Sequence, residues 1–167
     1  VGDLMSGGKV TKLMAEFVDA LRKSLLQSFN RGVAGRGFIL PPYKFGEAVM
    51  ASPEFGNFVE SQVAYSNNFV RELGRGQLSR PGRMQVGKRL NLYANAFKGA
   101  FNQGAVAGGR PGEKIYWRLG ACDHCADCPV LNLNSPYTRA TLPTYPGAGG
   151  TICKSNCCCY LSFKPGM

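Results

Sequence analysis

The sequence predicts a mainly α chain that ends in a small irregular α+β module, with an extended arm between helices 1 and 2. Three observations lead there. Apolar residues recur at helical spacing through three long segments within residues 1–110. Residues 33–52 break that period with glycines, prolines and aromatics. All seven cysteines lie between Cys122 and Cys159.

The first helix is expected over about 9–31. Val10, Leu13, Met14, Phe17, Val18, Leu21, Leu25, Leu26 and Phe29 form one apolar face, and Asn30-Arg31-Gly32 supplies a basic last turn with a glycine stop. Residues 33–52 carry Gly35, Gly37, Phe38-Ile39-Leu40, Pro41-Pro42, Tyr43 and Phe45 without helical period. So apolar a stretch is expected to pack as an extended arm, on this chain or on a neighbouring subunit. Ser52-Pro53-Glu54 then reads as a helix start, a cap followed by proline in the first turn and an early acid. The second helix is expected over 53–74, with Phe55, Phe58, Val59, Val63, Phe69, Val70 and Leu73 as its stripe and Gly74 as its stop. The third is expected over about 81–105, with Val86, Leu90, Tyr93, Ala94, Phe97 and Phe101 on one face and Gly87 and Gly99 weakening it. Gly108-Gly109-Arg110-Pro111-Gly112 reads as a linker, dividing a helical region (1–110) from a cysteine-rich module (111–167). Ile115-Tyr116-Trp117-Arg118-Leu119 is a strand candidate holding the only tryptophan.

The formal charge is +10, which points to a polyanion or an acidic protein as partner. Positive charge is densest at Arg71, Arg75, Arg80, Arg83, Lys88, Arg89 and Lys98, interrupted by Glu72 alone. A solvated face is the plain reading of such a run. Contact with nucleic acid or an acidic partner is the functional one, and it would run through phosphates, since no base-reading pattern is present. No segment reaches the roughly 18–20 apolar residues of a membrane span.

Seven cysteines are an odd number, and they cluster at CxxC spacing, so metal in a reducing compartment fits better than a secreted disulfide framework. Cys125-Ala-Asp-Cys128 can place two sulfurs on one ion from a tight turn. Cys153-Lys-Ser-Asn-Cys157-Cys158-Cys159 offers a second pair from a distant loop. The expected ligands of a structural Zn²⁺ are Cys125, Cys128, Cys153 and Cys157. Cys159 is the first substitute, because residues 157 and 159 of an extended segment share a face while Cys158 points away. Cys122 and His124 are spare donors. A disulfide cluster or a redox dithiol is the competing reading. Four thiolates and one dication would lower the formal charge from +10 to about +8, so the chain stays basic.

Catalytic patterns are missing. There is no HExxH, and the one histidine falls short of the usual zinc-hydrolase ligand sets. The HxE that zinc deaminases place before PCxxC is absent, and proline follows Cys128 instead of preceding the pair. Ser6-Gly7-Gly8-Lys9-Val10 lacks the first glycine and the Ser or Thr of a phosphate loop. The expectation is a non-enzymatic protein, with no catalytic residues.

The order of residues from Arg89 to Phe163 resembles the C-terminal module of tailed-bacteriophage minor head proteins, the Mu F-like head morphogenesis family. The resemblance rests on Arg89, Ala94, Asn102 and Gly104 in the third helix, Tyr116-Trp117, Cys125-Ala-Asp-Cys128, Leu142-Pro143, Pro146-Gly147 and the closing Asn156-Cys157-Cys158-Cys159. Cys158 stands where the family has arginine, and Cys122 is extra, so the ligand set stays open. The resemblance implies a structural virion protein in the head interior or at the portal and neck, present in multiple copies. It also implies contact with portal or capsid proteins and with packaged DNA through phosphates, with host cytoplasm as the site of assembly. A zinc-ribbon nucleic-acid-binding regulator is the alternative.

Overall fold

A computed structural model describes residues 7–37, 42–74 and 82–165 of the chain. These residues form five α-helices, a two-stranded sheet and a single 3-10 turn: α1 (Gly7–Ala34), α2 (Phe45–Ala51), α3 (Pro53–Gly74), α4 (Gly82–Ala107), β1 (Tyr116–Arg118), α5 (Asp127–Leu133), the turn Lys154–Asn156, and β2 (Tyr160–Ser162). The mainly helical class, with a small mixed region at the C-terminal end, is therefore observed. No helix among the described residues is long and apolar enough to cross a membrane.

The helical core is built on the stripe of α1. Leu21, Leu25, Phe29 and Val33 are buried against Phe55, Phe58, Val59 and Val63 of α3 and Ala96 and Ala100 of α4. Phe29 and Phe55 stack with ring centroids 4.4 Å apart. Burying side chains of this size stabilises by roughly 1.5–3 kcal/mol each, which makes this cluster the anchor of the first two thirds.

The arm expected over 33–52 needs correction. Helix α1 runs on through Ala34, and Phe45–Ala51 is helical. Residues 38–41 of the expected arm lie outside the described residues. The return of the chain is held by Asn30, whose side-chain amide donates to the Tyr43 carbonyl (3.0 Å) and accepts from the Tyr43 N–H (2.9 Å). The Glu47 carboxylate accepts the Lys44 N–H at 2.7 Å, which satisfies an orphan donor at the start of α2. Tyr43, Phe45 and Ala48 pack into the core of this same chain. A helix of seven residues is too short for its period to show in sequence.

Two further expectations change for one reason. Gly32 does not stop α1, and the expected face of α4 is buried only in part: Tyr93 is buried and Phe97 packs on the core, whereas Leu90, Ala94 and Phe101 are exposed and the Val86 side chain lies outside the described residues. Helices α1 and α4 instead meet backbone to backbone. A Cβ on Gly104 would collide with the Phe29 carbonyl, and one on Gly32 with the Phe101 carbonyl and the Ala105 nitrogen. Small residues permit that approach, so Ala96, Ala100 and Gly104 form the contact where an apolar-stripe reading seeks large ones.

Gly104→Ala is accordingly expected to destabilise by about 3 kcal/mol, because rigid backbone cannot yield to the methyl group. Gly87→Ala, in the same helix but with open space around it, should gain about 0.5–1 kcal/mol from helix propensity. Urea unfolding midpoints of the two variants, moving in opposite directions, are the check.

Candidate metal centre

The cysteine module is positioned by one strand pair and one short helix. Strands β1 and β2 run antiparallel, with Trp117 opposite Leu161. The Trp117 N–H donates to the Ser135 hydroxyl (2.8 Å), and the Asn132 amide donates to the Trp117 carbonyl (2.6 Å), so the end of α5 is tied to β1. The Trp117 side chain is fully buried against Cys128, Cys157 and Cys159.

The two cysteine loops are turns whose backbone bonds aim the sulfurs inward. The Cys128 N–H donates to the Cys125 carbonyl (3.2 Å), and the Asn156 N–H to the Cys153 carbonyl (3.0 Å). Lys154 takes a positive φ of 51° to close the second turn. Asp127 braces one loop against the other, its carboxylate accepting the Ile152 N–H at 2.8 Å. The Thr151 hydroxyl lies 3.3 Å from the Cys153 sulfur.

At the centre is the buried sulfur of Cys128. It lies 3.5 Å from Cys125 Sγ, 3.8 Å from Cys153 Sγ and 3.8 Å from Cys157 Sγ. Four thiolates on a tetrahedral ion with bonds of about 2.3 Å have sulfurs about 3.8 Å apart. A disulfide would bring two of them to about 2.05 Å. Cys125, Cys128 and Cys153 could hold a metal ion, their sulfurs all lying within 4.8 Å of one another.

Without a cation these sulfurs cannot all ionise. Burial, reinforced by the surrounding thiols, pushes Cys128 far above the ordinary thiol range. Burial likewise raises Cys157, to about 11. Burial also acts upward on Cys125, but hydrogen bonds from the Cys153 backbone and thiol and from Cys128 outweigh it and bring the thiol down to about 7. A bound dication would reverse the first two shifts by favouring the thiolates.

The remaining donors lie beside this group. Cys122 and Cys158 form a disulfide, which takes up one of the spare donors. Cys159 is buried, and its sulfur is 3.7 Å from His124 Nδ1. Cys157 and Cys159 both face inward while Cys158 turns across to Cys122, as alternation along an extended segment requires.

The module is docked on the helices through polar contacts. Lys98 Nζ donates to the Cys157 carbonyl (3.0 Å), Asn102 Nδ2 to the Pro146 carbonyl (2.9 Å) and Asn95 Nδ2 to Asn156 Oδ1 (2.9 Å). The Arg36 guanidinium pairs with Glu113 and lies 3.5 Å from the centre of the Phe163 ring. Arg139 donates to the carbonyl of Ala51.

The basic run is thus divided. Arg71 and Lys88 are exposed, whereas Lys98 is half-buried and directed at the cysteine module. Arg75 and Arg80, and the side chains of Arg83 and Arg89, lie outside the described residues. Sequence reading missed the bracing Asp127, the Cys158 pairing and the docking role of Lys98. Asp127 carried a faint signal, an acid within a CxxC; nothing local to Lys98 separates it from the other cations.

Comparison of the chain with protein-family models, with curated proteins and with solved structures finds no match.

Two outcomes follow from this geometry. Metal removal by a strong chelator, or Cys125→Ser, should expose Trp117 and shift its emission to the red, while most of the helical circular dichroism survives in the separate Leu25/Phe29/Phe55 cluster. While the metal-free chain keeps this fold, before Trp117 emission shifts, the Cys125 thiolate fraction rises as pH passes upward through about 7. Brief alkylation at pH near 7.5, read by peptide mass spectrometry, should therefore label Cys125 ahead of Cys128 and Cys157.

Proposed function

We propose that this chain is a structural protein of tailed-bacteriophage particles, a minor component of the head or the portal and neck, held in shape by a structural Zn²⁺ on Cys125, Cys128, Cys153 and Cys157. The reading begins from the sequence resemblance to the Mu F-like head morphogenesis family. One observation supports it most. Several residues that carry the resemblance hold the cysteine module together or join it and α1 to α4. Asn102 donates to the Pro146 carbonyl, Asn156 accepts from Asn95, Gly104 permits the approach of α1, and Trp117 fills the space behind the sulfurs.

Zinc fits the donors better than a hard cation does, since thiolates dominate the cluster. Four such ligands close the coordination sphere, leaving no position for a substrate or an activated water. The metal then supplies folding free energy rather than chemistry. On this reading the protein is not an enzyme, and its work is contact with portal or capsid subunits. Arg71 and Lys88 are exposed, and on this reading they would meet the phosphates of packaged DNA or an acidic partner.

The test is where the chain is found. Mass spectrometry of purified particles of the encoding phage should detect it at a fixed, low copy number, and density for it should lie at the head interior or the neck. Detection only in infected-cell extract would overturn the reading. Salt-dependent binding of the isolated chain to naked DNA, with sequence preference, would instead support the regulator.

A further inference from the structure

Beside the four-sulfur group lies a second set of donors that the structural zinc does not use. His124 Nδ1 is 3.9 Å from Cys122 Sγ, 3.8 Å from Cys158 Sγ and 3.7 Å from Cys159 Sγ. Hydrogen bonding does not account for three sulfurs around one nitrogen. A ring nitrogen has a single lone pair or a single N–H, enough for one partner. Cys122 and Cys158, joined to each other, have no S–H to donate. The distances instead approach the edge of a tetrahedral site with one imidazole and three thiolates, about 3.6 Å between nitrogen and sulfur for bonds of about 2.0 and 2.3 Å. Seven cysteines and one histidine make eight donors, which is two complete tetrahedra.

We infer that Cys122, His124, Cys158 and Cys159 form a second site for a thiophilic dication of the Zn²⁺ class, one that opens when the Cys122–Cys158 disulfide is reduced. The oxidised chain offers this site only His124 and Cys159, too few to hold an ion tightly. Cys122 is exposed, so a reductant can reach the bond. A cellular dithiol supplies two electrons and two protons, becomes a disulfide itself, and leaves thiols on Cys122 and Cys158. Metal binding then displaces three protons, from Cys122, Cys158 and Cys159, while His124 coordinates as the neutral imidazole through Nδ1. The Cα atoms of Cys122 and Cys158 are 6.5 Å apart. That is near the long end of the disulfide range of about 4.4–6.8 Å, so rotating the side chains suffices to bring the sulfurs to about 3.8 Å on a shared ion. The two sites adjoin, since the donor atoms of Cys128, Cys159 and His124 all lie within 4.8 Å of one another.

The inference concerns a different set of ligands from the proposed structural zinc, and one experiment separates the two. The full chain is prepared with the disulfide intact and, in parallel, reduced with a phosphine. The phosphine takes an oxygen from water to become its oxide, and the two hydrogens go to the two sulfurs. Both preparations are loaded with Zn²⁺ without oxygen, freed of excess metal, and weighed by native mass spectrometry. Two ions per reduced chain and one per oxidised chain are expected, with His124→Ala holding one even when reduced. Loading with Co²⁺ should then show the absorption of a four-sulfur site alone in His124→Ala, and added three-sulfur, one-nitrogen character in the reduced parent. If His124→Ala fails to fold, as Trp117 emission would report, Cys122→Ser takes its place and should hold one ion in the reduced state. One ion in the reduced parent, or two retained in the folded variant, overturns this inference and leaves the structural zinc standing. No ion in the reduced parent overturns both.

Discussion

The crowding of thiols around the buried Cys128 sulfur is a constraint that the C-terminal third of the chain must satisfy. Sulfurs within 3.5–3.8 Å of it come from both cysteine loops, and burial holds the central thiol out of its charged form. Packed as neutral groups they would make a small and poorly cohesive core. Three of them, Cys125, Cys128 and Cys153, lie close enough together to hold a metal ion, which would convert the crowding into strong bonds. The turn at Lys154, the brace from Asp127 to Ile152 and the burial of Trp117 all serve to keep those sulfurs converging. A bound metal would take the place that a larger hydrophobic core fills in a longer module.

That module is not left to hang from a linker. Helix α4 faces two ways, and its composition shows why it must. Ala96, Ala100 and Gly104 meet α1 at backbone distance, while Asn95, Lys98 and Asn102 reach backbone and side-chain acceptors of the module. A helix whose polar residues are engaged by one neighbour and whose small residues are engaged by another cannot show a single apolar stripe. Arg36, at the end of α1, completes the joint by pairing with Glu113 and covering the Phe163 ring. Lys98, which sequence alone assigns to a surface patch, is a half-buried fastener between helix and module.

What was legible in the sequence follows from which signals are local. The stripe of α1 and the Ser52-Pro53-Glu54 start of α3 depend on residues a turn or two apart, and both elements appear where those signals lie. Helix α2 was not legible, because seven residues give too little period and two prolines precede it. On α4, Tyr93 and Phe97 were legible, but the small-residue contact of Ala96, Ala100 and Gly104 was hidden for a different reason: small residues mark close approach only when the partner backbone is known. Cysteine spacing told that sulfurs would gather, since CxxC chemistry is itself local. Which of the seven gather, and that Cys158 turns to Cys122, depends on how β2 is fed from the second loop, and that is a matter of tertiary structure.

A module pinned by metal would owe less of its stability to apolar burial than an ordinary small fold does. An exposed aliphatic side chain adds nothing to such burial. Here Val130 and Leu133 of α5, three residues apart and so on one side of the helix, are both exposed, Leu133 by 83%. Ile152, on the loop that Asp127 braces, is exposed as well. The bonds that fix α5 and this loop run through Cys128, Cys153 and Asp127, not through these side chains. The fold therefore does not draw on Val130, Leu133 and Ile152 for its stability.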